Sequence, residues 1–166
     1  KEGKYSLVRR EAKVQVAAGA KMLDVNVGVP LIDEAKAMRE AVVAVQEAVT
    51  VPLCIDSASP EALEAGLKAY VGKAIVNSFS LEQGRAEAIL PIAKRYGAAV
   101  IGLTMDENGI PSTAEDRLHI ARRLVEVAGE YGIPPYDVII DPLALTAGAQ
   151  QSQALQTLRA ICALKF

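Results

Sequence analysis

Several residue types are scarce in this 166-residue sequence. It contains no tryptophan, one histidine and two cysteines, and aromatic residues make up only 4% of the chain. The cysteines, Cys54 and Cys162, are far apart and match no metal-binding or redox spacing, so a disulfide framework is excluded and a reducing compartment is expected. Without a Cys–His pair or a serine-hydrolase elbow motif, nucleophilic catalysis of the common kinds is not indicated.

Charge and long apolar runs are also limited. The formal net charge is −2, which gives no basic surface for nucleic acid or for an anionic membrane. No apolar run is long enough to span a bilayer, and the first residues do not have the layout of a signal peptide. We therefore expect a cytoplasmic protein with no membrane association.

What is present is a hydrophobic content of 51%, supplied mainly by Ala, Val, Leu and Ile, in alternating strand and helix patterns. Strands are predicted at 22–28, 51–57, 73–78, 98–105 and 136–142. Helices are predicted at 5–18, 31–48, 59–70, 80–96, 112–131 and 152–164, and residues 143–152 are predicted to form a loop. Caps are expected at Asp33 and Ser59, and capping boxes at Ser80 and Ser112.

This order repeats a βα unit of about 30 residues, the usual size of a right-handed crossover between parallel strands. The sequence therefore predicts an α/β fold with a parallel sheet, and residues 1–166 show no sign of a linker or a second domain.

Polar side chains stand at the ends of the predicted strands. They are Asp24 and Asn26, Asp56, Asn77, Thr104 and Asp141. The carboxyl ends of parallel strands open on the same side of a sheet, where active sites of α/β proteins lie. Carboxylates and amides grouped there would suit a ligand rich in hydrogen-bond donors, such as an amidine-like edge, a sugar or a metal ion.

Each of these acids also has a simpler interpretation as a turn former. For Asp24 the two interpretations are evenly balanced. Asp56 and Asp141 are better explained as site residues, because Ser59 caps the helix after Asp56 and a long loop follows Asp141. A metal site is the weaker alternative, since no histidine accompanies the acids.

At these strand ends the sequence resembles the pterin-binding methyltransferases. The segments concerned are 23–28 (LDVNVG), 54–57 (CIDS), 76–78 (VNS), 101–105 (IGLTM) with 109–111 (GIP), and 140–143 (IDPL). They occur in the order and spacing of the methyltetrahydrofolate:corrinoid/iron–sulfur protein methyltransferase and of the folate domain of cobalamin-dependent methionine synthase. Dihydropteroate synthases share the acids and the Asn, but their glycine-rich segment after the last Asp is replaced here by Pro142-Leu-Ala-Leu145.

The resemblance implies a TIM-barrel-type fold whose mouth binds methyltetrahydrofolate. Asp56, Asn77 and Asp141 match the family's pterin-binding residues, and Asp24 and Asn26 match a motif lining the same mouth. The implied reaction transfers a methyl group to the cobalt of a corrinoid (cobalamin) carried by a partner protein.

Against the family's eight strands, five are predicted here. On the resemblance, residues 1–166 would form a partial barrel lacking the first and last strands. The catalytic residue stays unknown, because the family's Asn that contacts the methyl-bearing nitrogen would follow Phe166.

Three hypotheses follow: a methyltransferase acting with a corrinoid protein, a non-catalytic partial barrel that assembles into a homodimer or higher oligomer, and a dihydropteroate synthase-like pterin enzyme.

Overall fold

The computed structural model of the chain describes residues 5–144 and 151–164, with side chains described from 153 in the second range. Helices and strands alternate along this part of the chain, as the sequence predicts. The helices are α1 (Ser6–Ala17), α2 (Glu34–Gln46), α3 (Pro60–Ala69), α4 (Arg85–Tyr96), α5 (Ala114–Glu130) and α6 (Gln151–Ala163). The strands are β1 (Leu23–Asn26), β2 (Leu53–Asp56), β3 (Ile75–Phe79), β4 (Ala99–Leu103) and β5 (Val138–Asp141). A short 3-10 helix, Pro135–Asp137, precedes β5.

The strands described form one sheet in the order β1-β2-β3-β4-β5. Pairing is parallel between β1 and β2, between β2 and β3, and between β4 and β5. A helix follows each strand, so every connection is a crossover of the kind that parallel strands need. The predicted α/β class, with parallel βα repeats of a partial TIM-barrel type, is thereby confirmed.

Two compact units make up the chain. The first comprises the residues up to Asn77 together with Arg95–Ala99. In its core, helices α2 and α3 cover one face of the strands, with Met38, Leu53 and Ile55 fully buried. Gly66 on α3 allows this close packing, since a Cβ there would lie 2.8 Å from Cγ2 of Ile55.

The second unit comprises Ser78–Lys94 and the chain from Val100 onward. Its core includes Phe79, Val100 and Leu124, all fully buried. Gly102 on β4 lies under α5, because a Cβ there would meet Leu124 and Phe79 at 3.2 Å.

The predicted helix caps are confirmed in the first unit and wrong in the second. Asp33 caps α2 by accepting from the N–H of Lys36, and Ser59 caps α3 by accepting from that of Ala62. The hydroxyl of Ser80, however, donates to the carboxylate of Glu82 and accepts from the N–H of Glu82. Helix α4 begins later, at Arg85.

On α5 the cap is Thr113, which accepts from the N–H of Asp116, one residue beyond the predicted Ser112. Within the predicted loop, residues 145–150 lie outside the described part of the chain.

Among the helices described, none has the length and apolar character that crossing a membrane would require.

Candidate functional site

Side chains of the first unit form two rows across the face of the strands opposite α2 and α3. Side chains alternate between the faces of a strand, and Ile55 faces the helices, so Cys54 and Asp56 face the other side. The parallel register pairs Asp24 with Cys54, and these two residues form the inner row. It also pairs Asn26 with Asp56 and Asp56 with Asn77, and these three residues form the outer row. Four of the five predicted site residues are therefore neighbours at one edge of this unit.

A side-chain hydrogen bond joins the first two members of the outer row. Nδ2 of Asn26 donates to Oδ2 of Asp56 at 2.8 Å. Oδ1 of Asn26 accepts from the backbone N–H of Gly28 at 2.9 Å. Both ends of the Asn26 amide are thus engaged, which fixes its orientation and leaves Oδ1 of Asp56 as an acceptor for a ligand.

The inner row holds Asp24, which lies near the side chains of Cys54 and Asn77. Partial burial raises the pKa of Asp24 above its ordinary value, and the nearby charge of Asp56 adds to this, although the side chains of Cys54 and Asn77 lower it. Burial, followed by the charge of Asp24, raises the pKa of Cys54 to about 12. Cys54 is therefore a neutral thiol and not a thiolate.

The carboxylate of Asp24 also bears on the orientation of the Asn77 amide, because a carboxylate only accepts hydrogen bonds. The Asn77 amide lowers the pKa of Asp24, as its NH2 group does when turned toward the carboxylate, and its oxygen is then the acceptor that it can offer to a ligand. The outer row then presents a carboxylate oxygen and an amide oxygen on adjacent strands. Such a pair is suited to a planar ligand edge that carries neighbouring N–H groups.

Two residues that no sequence pattern singles out hold the end of β2. Ser57 is buried, donates to Oε1 of Glu34, and accepts from the N–H of Ser59 at 2.9 Å. Its own N–H donates to the carbonyl oxygen of Asn77 at 3.3 Å. Nothing in the sequence links Glu34 to Ser57, whereas Cys54 could have been found from its parity with Asp56.

Asp141, the fifth predicted site residue, belongs to the second unit. It ends β5, and its Oδ1 accepts from the N–H of Leu143 at 2.8 Å. Its carbonyl oxygen accepts from the N–H of Thr104 at 3.0 Å. The carboxylate is exposed, and one of its oxygens remains as an acceptor for a ligand.

Thr104 differs from the other strand-end residues. It has the same parity as Gly102, which faces Phe79 and Leu124, so its side chain lies on the helix-covered face. The hydroxyl is fully buried and has no hydrogen-bond partner among the residues described. Thr104 is therefore not placed beside Asp141, the strand-end acid of this unit.

No group of three or more His, Cys, Asp or Glu side chains in the described part of the chain is arranged to hold a metal ion.

A family profile described as "Pterin binding enzyme" matches residues 2–166 of this chain. Similar solved structures are dihydropteroate synthases. That of Thermus thermophilus is 24% identical, has a TM-score of 0.77, and is aligned over 98% of this chain and 65% of its own. The same organism's enzyme in complex with 6HMPPP is 25% identical over 92% of this chain and 60% of its own, with a TM-score of 0.70.

The synthase of Xanthomonas albilineans in complex with 7,8-dihydropteroate is 19% identical, with a TM-score of 0.72. It is aligned over 98% of this chain and 63% of its own. This chain thus spans less than two thirds of the length of the protein in each of these three structures. The structures at 24% and 19% identity show that this chain shares their fold.

Proposed function

We propose that this chain, which belongs to the family of pterin-binding enzymes, holds the pyrimidine edge of a pterin on Asp56 and Asn77. A pterin carries a 2-amino group beside a ring N–H, and these are adjacent donors in one plane. The carboxylate oxygen of Asp56 and the amide oxygen of Asn77 are acceptors on paired strands. Hydrogen bonds to a charged partner contribute about 1.5–3 kcal/mol each, so this row can supply much of the affinity.

The observation that carries the proposal is the hydrogen-bonded orientation of the row. Asn26 donates to Asp56, and the Asn77 amide lowers the pKa of Asp24 as an NH2 group turned toward that carboxylate does, so Oδ1 of Asp56 and the amide oxygen of Asn77 are the acceptors left for a ligand. The acceptors are therefore set before a ligand arrives, which reduces the cost of ordering them. By the family resemblance, we propose that the Asp141 carboxylate is also a pterin-binding residue.

One reaction consistent with such a site is the condensation of a pterin pyrophosphate with an aromatic amine. Its support is the likeness to the synthases, whose solved complexes contain 6HMPPP, 4-aminobenzoate and 7,8-dihydropteroate. In this reaction the row would anchor the pterin while the amine displaces the pyrophosphate.

Methyl transfer from methyltetrahydrofolate to the cobalt of a corrinoid protein is the second reaction. It is favoured by the segment after β5, where Pro142 and Leu143 follow Asp141 in place of the glycine-rich segment of the synthases. Here the protein would act through placement and polar contacts that favour proton donation to the leaving nitrogen.

Calorimetric titration of the chain with methyltetrahydrofolate tests pterin binding. Asp56→Ala and Asn77→Ala are each expected to weaken binding at least about tenfold, because each leaves a ligand donor without its acceptor. Asn108→Ala, in an exposed turn, is the matched control and should bind as the wild type does. Unchanged affinity in both site variants would refute the proposal.

A second titration separates the two reactions. A condensing enzyme should bind 4-aminobenzoate once a pterin pyrophosphate is present. A methyltransferase should bind methyltetrahydrofolate and show no such 4-aminobenzoate site.

A further inference from the structure

In the second unit, the side chain of Arg117 is fully buried on the first turn of α5. Its guanidinium donates to acceptors in three separate segments. In the loop before α5, Nε bonds the carbonyl oxygen of Pro111 at 2.9 Å. After β5, Nη1 bonds the carbonyl oxygens of Pro142 and Leu143, both at 2.8 Å.

On α6, Nη1 lies 2.6 Å from Oγ1 of Thr157, and Nη2 lies 2.9 Å from Oε1 of Gln153. All five acceptors are neutral, and burial lowers the pKa of Arg117. An arginine still keeps its charge in proteins. A buried cation whose hydrogen-bond partners are all neutral is unusual, because a leucine at this position would fill the core without the cost of burying a charge.

What the guanidinium holds is an unfavourable backbone conformation next to Asp141. Leu143 has a φ of 57°, in the left-handed region that residues with a Cβ avoid. Such a conformation persists where the surroundings determine it from several sides. Arg117 bonds the carbonyl oxygens on both sides of the Leu143 nitrogen and α-carbon, and Oγ1 of Thr157 adds a bond to Leu143 at 3.0 Å.

The N–H of Leu143 lies in the same peptide plane as the carbonyl of Pro142, which Arg117 bonds, and this N–H donates to Oδ1 of Asp141 at 2.8 Å. We propose that Arg117 is a positioning residue, which holds the 142–143 backbone so that Leu143 fixes the direction of the Asp141 carboxylate for ligand binding. The inference rests on the proposed function in one respect only, namely that Asp141 contacts the pterin. The fork geometry of arginine is essential here, because lysine cannot bond several carbonyls in fixed directions.

A double-mutant cycle tests this inference through ligand affinity. Asp141→Asn and Arg117→Lys are each expected to weaken methyltetrahydrofolate binding by about tenfold or more. Because Arg117 acts through Asp141, Arg117→Lys should add little when Asp141 is already Asn. Arg123→Lys, on the exposed face of the same helix, is the control and should leave affinity unchanged. Additive losses would overturn the inference while leaving pterin binding intact.

A second readout does not depend on any ligand. The amide of Leu143 is expected to exchange its hydrogen slowly in the wild type and at least about tenfold faster in Arg117→Lys, while core amides of Val100 stay protected. Equal exchange at Leu143 in both proteins would overturn the inference.

If Arg117→Lys does not fold, Thr157→Val takes its place, since it removes one hydroxyl contact to both Arg117 and Leu143 and keeps the shape. Thr157→Val should show the same losses at a smaller size. Thr157→Ser, which keeps the hydroxyl, should behave as the wild type does. If Asp141→Asn alone leaves affinity unchanged, the role of Asp141 in the proposed function fails, and the exchange measurement still decides whether Arg117 holds Leu143.

Discussion

Asn26 and Asp56 are register partners on β1 and β2, and Nδ2 of Asn26 donates to Oδ2 of Asp56 at 2.8 Å. The opposite end of the same amide accepts from Gly28, so the side chain cannot rotate without losing a bond. Oδ2 of Asp56 is therefore occupied by a hydrogen bond within the protein. The other oxygen, Oδ1, is the one that we propose a ligand contacts.

Replacing the donor of this pair with an acceptor tests its importance. Asn26→Asp keeps the shape of the side chain but places a second carboxylate against Asp56. We expect pterin affinity at pH 7 to fall about tenfold or more, because the row loses its donor and gains a repulsive charge. Calorimetric titration measures the change, and Asn108→Asp in the exposed turn serves as the charge-matched control. Affinity equal to that of the wild type would show that the pair does not orient the site.

Stability should depend on pH through Asp24. Its pKa is raised in the folded state, chiefly by burial, so ionisation costs the folded state more than the unfolded chain. The penalty is absent below the ordinary value of 3.8, where the group is protonated in both states, and it is complete above the raised pKa.

Asp24→Asn removes this penalty. The variant should therefore have a higher free energy of unfolding than the wild type at pH 7, and the gain should disappear as the pH falls below 3.8. Urea unfolding at a series of pH values measures it, with Glu107→Gln as the control for an exposed carboxylate. A gain that is the same at pH 3 and pH 7 would contradict the assignment.

The two cysteines should differ sharply in reactivity. Cys54 is buried with a pKa of about 12, whereas Cys162 is exposed on α6. Since the thiolate is the reactive form, iodoacetamide at pH 8 should modify Cys162 and leave Cys54 unmodified in the folded protein. Peptide mass spectrometry distinguishes the two sites, and unfolding in urea should make both reactive. Modification of Cys54 at the rate of Cys162 in the native protein would contradict its position in the inner row.

Packing of α3 against the strands is tested by a pair of glycines. Gly66→Ala would place a Cβ 2.9 Å from Cγ of Met38, in a core without room for it. Such overpacking costs about 1–3 kcal/mol, which exceeds the gain of about 1 kcal/mol from replacing a helical glycine. We expect a lower free energy of unfolding by roughly 1 kcal/mol.

Gly129 on α5 provides the opposite case, because a Cβ there would meet nothing within 4 Å. Gly129→Ala should raise the free energy of unfolding by about 0.5–1 kcal/mol. Chemical denaturation of both variants decides the matter, and stabilisation by Gly66→Ala would show that the close approach to Ile55 is wrong.

The sequence predicts the order of strands and helices well, because each signal is local. Apolar runs mark the strands, and Asp33 and Ser59 cap helices through neighbours three residues away. Prediction fails where several local patterns compete. Ser80 has a capping-box spacing to Gln83, but its hydroxyl bonds Glu82 and the helix begins at Arg85.

For the candidate site, parity along a strand was enough to place Asp24 beside Asn26, and parallel pairing placed Asp56 beside Asn77. Contacts between distant segments could not be predicted in this way. The Arg117 contacts depend on how α5 and α6 pack, and the bond between Glu34 and Ser57 depends on how α2 meets β2. No periodicity in the sequence encodes either one.

The central claim is that Asp56 accepts hydrogen bonds from the N–H groups on the pyrimidine edge of a pterin. A comparison of two ligands tests it most directly. Lumazine has the pterin ring system with an oxygen in place of the 2-amino group, so it offers an acceptor where Asp56 requires a donor. The wild type should bind pterin at least about a hundredfold more tightly than lumazine, and Asp56→Asn should remove most of that preference. Equal affinity of the wild type for the two ligands, or a preference that survives Asp56→Asn, would contradict the account.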